Sequence, residues 1–105
     1  MADSPTSRSL KELRKRGYLA DVAERWIPRA NIRKDLFGFI DILAIQGDQV
    51  IGIQATSRGD VSKRIAKIQQ HENFAALEAS PIEVWVWGWG KMASGRWELR
   101  EEFVA

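Results

Sequence analysis

Two apolar runs around a tight turn constrain the fold of this chain most: FGFIDILAI over residues 37–45 and QVIGIQATS over 49–57. Both runs are rich in isoleucine and valine, which favour strands because branched side chains pack well on a pleated surface. Gly47-Asp48 between them suits a two-residue turn. The stretch therefore predicts an antiparallel β-hairpin.

Three polar side chains fall on one face of this hairpin. Counting from the turn, Asp41 lies opposite Gln54, and Thr56 follows on the same face. The other face is apolar and carries Ile40, Ile42, Ala44, Ile51, Ile53 and Ala55. Two interpretations are open: Asp41 and Gln54 hydrogen-bond to each other, or their oxygens bind a divalent cation. A cation compensates a desolvated carboxylate better than one neutral amide does.

The segments before the hairpin predict a helix and one ambiguous element. Ser9 and Glu12 form a capping-box pattern, which predicts a helix over 9–16 that ends at Gly17. The residues of 18–27 fit both helical and alternating spacing, so periodicity alone leaves helix and strand open. A basic connection, PRANIRKD over 28–35, then leads into the hairpin.

The segments after the hairpin predict one long helix and two strands. The helix is capped by Asp60 or Ser62, and its buried stripe comprises Val61, Ile65, Ile68, Phe74, Ala75 and Leu77. IEVWVWGWG over 82–90 is apolar on both faces, which is typical of a strand inside a sheet. RWELREEF over 96–103 alternates and predicts an edge strand. Together these elements predict an α/β or α+β domain with a mixed central sheet flanked by helices.

Length and composition favour one domain over 7–105, after a disordered tail at 1–6. The sequence lacks cysteine, which excludes disulfides and thiolate zinc sites, and it lacks an apolar run long enough to span a membrane. We therefore expect a cytoplasmic protein with no membrane partner. Residues 1–34 carry nine Lys or Arg against four Asp or Glu, an asymmetry that fits a polyanion such as nucleic acid.

The tryptophans Trp85, Trp87 and Trp89 alternate and so share one face of their strand. Three roles are open for this face: stacking nucleic-acid bases, packing under the long helix, or forming a subunit interface. His71 stands alone on the predicted helix, without a second histidine or a cysteine, so we expect a surface residue.

The hairpin and the helix after it resemble the core of the PD-(D/E)XK nuclease superfamily, especially its Holliday-junction resolvase-like and VRR-NUC-like members. The resemblance rests on DILAI, the short turn and VIGIQATS, and it covers about residues 7–90. It implies a restriction-endonuclease-like αβββαβ core, with a strand over 18–27. It also implies a Mg²⁺- or Mn²⁺-dependent endonuclease acting on DNA, possibly branched DNA, and a homodimer.

The resemblance assigns roles to the polar residues of the hairpin. Asp41 matches the metal-binding aspartate, Gln54 the second acid, and Thr56 the lysine of the motif. Thr56 departs from the family because its hydroxyl carries no charge. Lys63 or Lys67 on the following helix could supply the missing cation.

Further residues complete the predicted site. Asp35 and Glu24 are candidate metal ligands, or else ordinary surface acids. The candidate nucleic-acid contacts are Arg29, Arg33, Lys34, Arg58 and Arg64. Because Gln54 and Thr56 depart from the motif, a catalytically inactive domain of the same fold, which binds nucleic acid or a protein, is the alternative.

Overall fold

The structure is a computed structural model and describes residues 3–105. Its elements follow in this order: α1 (Pro5–Lys15), β1 (Leu19–Val22), β2 (Arg25–Ile27), β3 (Ile32–Lys34), β4 (Ile42–Gln46), β5 (Gln49–Ser57), a 3-10 turn (Arg58–Asp60), α2 (Val61–Gln69), α3 (Phe74–Glu78), β6 (Ile82–Lys91) and β7 (Trp97–Phe103). Within 3–105, no helix is both long and apolar enough to cross a membrane.

Five strands form a mixed sheet in the order β1-β4-β5-β6-β7, and β2 pairs with β3 in a separate ribbon. Only β5 and β6 are parallel within the described sheet, because the helical crossover α2–α3 returns the chain between them. The predicted α/β class with a mixed sheet is confirmed. As predicted, β6 is an inner strand buried on both faces and β7 is an edge strand.

Helix α1 begins earlier than predicted. Ser4 is the N-cap and accepts a hydrogen bond from the backbone N–H of Ser7, and Pro5 occupies the first helical position. Pro5 and Thr6 are therefore helical and not part of a tail, whereas Met1 and Ala2 lie outside the described residues. The predicted cap, Ser9, is buried inside the helix, and its hydroxyl donates to the Pro5 carbonyl instead. Gly17 follows the helix with a φ of 92°, as its predicted role requires.

The ambiguous segment 18–27 is extended, but it is two strands and not one. β1 pairs with β4 in the main sheet, whereas β2 turns away and pairs with β3. The basic connection after Pro28 therefore contains a strand, and the pair forms a short ribbon inserted between β1 and β4. Without this ribbon, the observed order from α1 to β6 is the predicted one.

The register of the β4–β5 hairpin is confirmed, with Gln46 opposite Gln49 and Leu43 opposite Gly52. The first strand, however, begins at Ile42 and not at Phe37, because residues 36–40 form a turn. Ile40 is consequently displaced to the face of the α2–α3 layer, where it lies over Gly52. A Cβ at Gly52 would lie 2.7 Å from Ile40 Cδ1, so any larger residue there would force the Ile40 side chain to shift.

The predicted long helix is interrupted at residues 70–73, between α2 and α3. Val61, Ile68 and Leu77 of its predicted stripe are buried, but Ala75 is exposed because the interruption changes the helical phase. The α2–α3 layer covers one face of the sheet, and α1 covers the other.

The tryptophan face of β6 packs beneath α1 and not beneath the predicted long helix. Trp87 is buried in the core with Leu13 of α1, and Trp89 Nε1 donates to the Ser9 hydroxyl at 2.9 Å. Trp85 meets Phe103 of β7 edge to face, with ring centroids 5.3 Å apart. These contacts give the indoles a structural role: Trp87 and Trp89 hold α1 on the sheet, and Trp85 packs against β7.

Candidate metal centre and adjoining cavity

A strained turn places two aspartates side by side. Leu36 and Ile40 form an isolated antiparallel bridge across it through two backbone hydrogen bonds, each of 3.0 Å, which brings the flanking residues Asp35 and Asp41 close together. Between them, Phe37 and Gly38 both have positive φ angles, 55° and 93°.

The strain at Phe37 is offset by burial nearby. A left-handed conformation costs a residue with a side chain about 1–2 kcal/mol. Ile40 is fully buried, and burial of such a side chain contributes about 1.5–3 kcal/mol. Asn73 also holds the turn, because its side-chain amide donates to the Phe37 carbonyl at 3.0 Å. The turn is thus stable enough to fix both aspartates.

Asp41 lies where strand β4 stops pairing with β5. The backbone N–H of Asp41 still donates to the Ile53 carbonyl at 2.9 Å, but residues 36–40 form a turn, so the backbone N–H of Ala55 has no strand partner on that side. The Asp41 carboxylate accepts this N–H through Oδ2 at 2.9 Å. Asp41 therefore does not form the cross-strand hydrogen bond to Gln54 that one interpretation of the sequence predicts.

Glu24, Asp35 and Asp41 form an acidic cluster. Each contributes one carboxylate oxygen, and these oxygens lie within 4.8 Å of one another. Asp41 is buried, and the other two acids are half-buried. Glu24 also faces Arg33 at 3.7 Å, a distance that leaves its carboxylate only loosely held. Three hard oxygen donors at this spacing fit the ligand preference of Mg²⁺ or Mn²⁺.

The pKa of Asp41 is raised to about 7. Burial is the main cause, because desolvation disfavours the charged form, and the neighbouring carboxyls of Asp35 and Glu24 add to it. The Ala55 N–H acts in the opposite direction by stabilising the carboxylate. A divalent cation would relieve both the desolvation and the repulsion among the three acids.

Gln54 lies beside the acidic cluster and not within it. It is 7% exposed and lines a cavity of about 390 Å³ together with Asp35. Within residues 3–105, no hydrogen bond occupies its side-chain amide, which is therefore free to bind a ligand in this cavity. Thr56, at the lysine position of the motif, is 5% exposed.

Helix α2 supplies cations to the same cavity. Arg64 and Lys67 line it opposite Asp35. Lys63 lies one turn earlier, in a smaller hollow with Asp60, and does not line the Gln54 cavity. Of the two lysines predicted to replace the missing one, Lys67 is therefore the better placed.

The other predicted nucleic-acid contacts are dispersed. Arg29 is exposed in the turn of the β2–β3 ribbon, and Lys34 lies at the ribbon's end next to Asp35. Arg58 contacts Glu98 of β7 at 3.4 Å, so the structure does not bring it to the acidic cluster. Its contact with nucleic acid stays a prediction.

His71 is more involved than its isolation in the sequence indicates. Its imidazole packs against Gly38 and meets Phe39 edge to face, with centroids 5.2 Å apart. Nδ1 accepts the backbone N–H of Asn73 at 3.0 Å, so the neutral ring carries its proton on Nε2. Its position between α2 and α3, where the helix is interrupted, could not be read from helical periodicity.

Comparisons of this chain with protein-family models, with curated proteins and with solved structures found no match. The candidate site therefore rests on the geometry of the acidic cluster and of the adjoining cavity alone.

The raised pKa of Asp41 predicts a pH-dependent stability. Between its unfolded value near 4 and its folded value of about 7, the folded protein binds the proton more tightly. In EDTA, we therefore expect the melting temperature to fall as the pH rises from about 5 to about 8. Each kcal/mol corresponds to roughly 4–8 °C in a domain of this size.

Two comparisons in the same thermal scans test this cause. Asp41→Asn should remove most of the slope, and Mn²⁺ should raise the melting temperature more at pH 8 than at pH 5, because ligands bind the ion deprotonated. An unchanged slope in the Asn variant would assign the pH dependence to other groups.

Proposed function

We propose that this chain is a metal-dependent nuclease that hydrolyses phosphodiester bonds in DNA. The observation that carries the proposal is the cluster of Glu24, Asp35 and Asp41, with carboxylate oxygens within 4.8 Å, next to a cavity lined by Gln54 and Lys67. The resemblance of the hairpin to PD-(D/E)XK nucleases supports the same chemistry.

The acidic cluster would hold one or two Mg²⁺ or Mn²⁺ ions through Asp41, Asp35 and Glu24. When bound, such an ion lowers the pKa of a coordinated water and neutralises charge on the phosphate. Asp41 would have to lose its proton to act as a ligand, so its pKa of about 7 would make metal binding sensitive to pH in the neutral range.

The remaining residues orient the substrate. The Gln54 amide can hydrogen-bond a phosphate oxygen or a water in the cavity, and Lys67 and Arg64 supply positive charge on its α2 side. In the reaction, the oxygen of water would bond to phosphorus and lose one proton to solvent. The bond from phosphorus to the leaving sugar oxygen would break, and that oxygen would take up a proton from solvent. Lys67 would offset the negative charge that builds on the phosphate.

A second candidate, binding of nucleic acid or a protein without cleavage, is favoured by Thr56. This residue is buried, carries no charge and stands where the motif has its lysine. The two candidates differ in whether the chain cleaves DNA, and a cation on α2 in place of that lysine would favour cleavage.

The experiment that tests the proposal is a cleavage assay with linear, nicked, flapped and four-way DNA. We expect cleavage with Mg²⁺ or Mn²⁺ and none with EDTA, because without an ion three acids would repel the phosphate and nothing in the cluster would neutralise its charge. Faster cleavage of four-way or flapped DNA would identify branched DNA as the substrate. If DNA binds but stays intact with both ions, the second candidate is correct.

A further inference from the structure

The β2–β3 ribbon carries an unusual pair of like charges. Arg25 and Lys34 are directly opposed across the two strands and so share one face. Directly opposed like charges destabilise a strand pair. Within residues 3–105, neither side chain forms an ion pair with an acid, in contrast to Arg33 on the other face, which reaches Glu24. The pair therefore has uncompensated positive charge.

This pair opens onto a cavity of about 370 Å³ next to the acidic cluster. Its lining includes the cations Arg25 and Lys34, the acids Asp35 and Glu72, and His71. Asp35, Gly38 and His71 also line the cavity that contains Gln54 and Lys67. The two cavities therefore adjoin as one groove, with Arg25 and Lys34 in one part, Arg64 and Lys67 in the other, and Asp35 of the acidic cluster lining both.

We propose that Arg25 and Lys34 form a second phosphate-binding subsite, which holds a DNA phosphate next to the one at the metal centre. The inference rests on the proposed function, because it requires a DNA strand to lie along the groove past Asp35. Two opposed cations and a phosphate form charge-assisted hydrogen bonds, and the phosphate removes the repulsion within the pair. Such a contact holds DNA independently of its sequence.

The ribbon also links this subsite to the metal centre through the chain itself. Glu24 directly precedes β2, and Asp35 directly follows β3. A phosphate that fixes the Arg25–Lys34 rung therefore fixes the two neighbouring acids as well. DNA and metal should consequently strengthen each other's binding, since such coupling is reciprocal.

The test measures binding of a short DNA duplex in Ca²⁺, as a function of salt, for an Arg25→Gln/Lys34→Gln double variant. We expect about tenfold weaker binding and a slope of log Kd against log salt that is smaller by roughly one, the value for one lost phosphate contact. The matched control is Lys15→Gln/Arg96→Gln, which removes two charges on the α1 side of the sheet and should keep the wild-type slope.

A charge-retaining swap, Arg25→Lys/Lys34→Arg, should also keep the slope, and the melting temperature of the Gln variant should not fall, since it removes a repulsion. An unchanged slope in the Gln variant overturns the subsite even if the wild type cleaves DNA. If the Gln variant has a smaller salt slope but the wild type does not cleave DNA in Mg²⁺, the subsite is supported and the proposed nuclease activity is overturned. No DNA binding by the wild type overturns both.

Discussion

Replacing Asp41 by Asn is expected to lower Mg²⁺-dependent cleavage of DNA at least about 100-fold. Asp41 is the most buried acid of the cluster, and its carboxylate cannot be replaced by solvent. A neutral amide leaves only two acids, Glu24 and Asp35, to hold the ion. The measurement is the rate of cleavage with saturating DNA over a series of Mg²⁺ concentrations, beside direct Mn²⁺ binding by calorimetry.

The structure separates this effect from a loss of fold. Asn has the shape of Asp, and its carbonyl oxygen can still accept the Ala55 N–H, so the end of β4 should stay paired. Because the buried charge is removed, the variant should melt at a higher temperature than the wild type near pH 8. If activity is lost while the melting temperature is retained or raised, the substitution therefore damages the site and not the fold.

Asp48→Asn is the matched control, since it makes the same substitution at the exposed turn of the same hairpin. We expect wild-type cleavage and wild-type Mn²⁺ binding from it. The assignment of Asp41 as a metal ligand would be refuted if its Asn variant cleaved DNA as fast as Asp48→Asn does.

The hairpin could be predicted from the sequence because local chemistry determines it. Gly47-Asp48 sets the turn, and the side-chain period of two then places every rung from Gln46 opposite Gln49 to Ile42 opposite Ile53. The predicted rung of Asp41 opposite Gln54 lies beyond the end of β4. The class of the fold and the inner position of β6 follow in the same way from apolar patterning. These features depend on neighbours along the chain or on a single buried face.

The clustering of Asp35 with Asp41 could not be derived from such patterns. It depends on Phe37 in a left-handed conformation that its residue type disfavours, and on Ile40 leaving the face that alternation assigns to it. Tertiary burial of Ile40 overrides both local preferences. The split of the helix near His71 has a similar origin, since the contacts of its ring to Gly38 and Phe39 come from the distant turn.

The pairing of Arg25 with Lys34 does not follow from the sequence analysis either, because the resemblance implies a single strand over 18–27. The start of α1 carried a usable signal, since Ser4 followed by Pro5 is a common helix beginning. Ser4 and Ser9 both fit a helix cap, and the hydrogen bond from Trp89 to Ser9 places Ser9 inside the helix.

Lys67→Gln is expected to lower the cleavage rate at saturating DNA about 100-fold while changing the KM for DNA little. Lys67 lines the cavity with Gln54 and Asp35, where charge develops on the phosphate during the reaction. An interaction that strengthens only in the transition state appears in kcat and not in substrate binding. Lys67→Arg, which keeps the charge but changes its geometry, should recover part of the rate.

Lys63→Gln is the natural comparison, because it removes the same charge from the same helix one turn away, outside the Gln54 cavity. We expect it to weaken DNA binding slightly, through the loss of one screened charge, and to leave kcat close to the wild-type value. Equal losses of kcat in the two variants would show that α2 acts through its overall charge. If neither Lys67→Gln nor Arg64→Gln changed kcat, neither cation would replace the lysine whose position Thr56 occupies. Any cleavage would then have to depend on the metal centre alone.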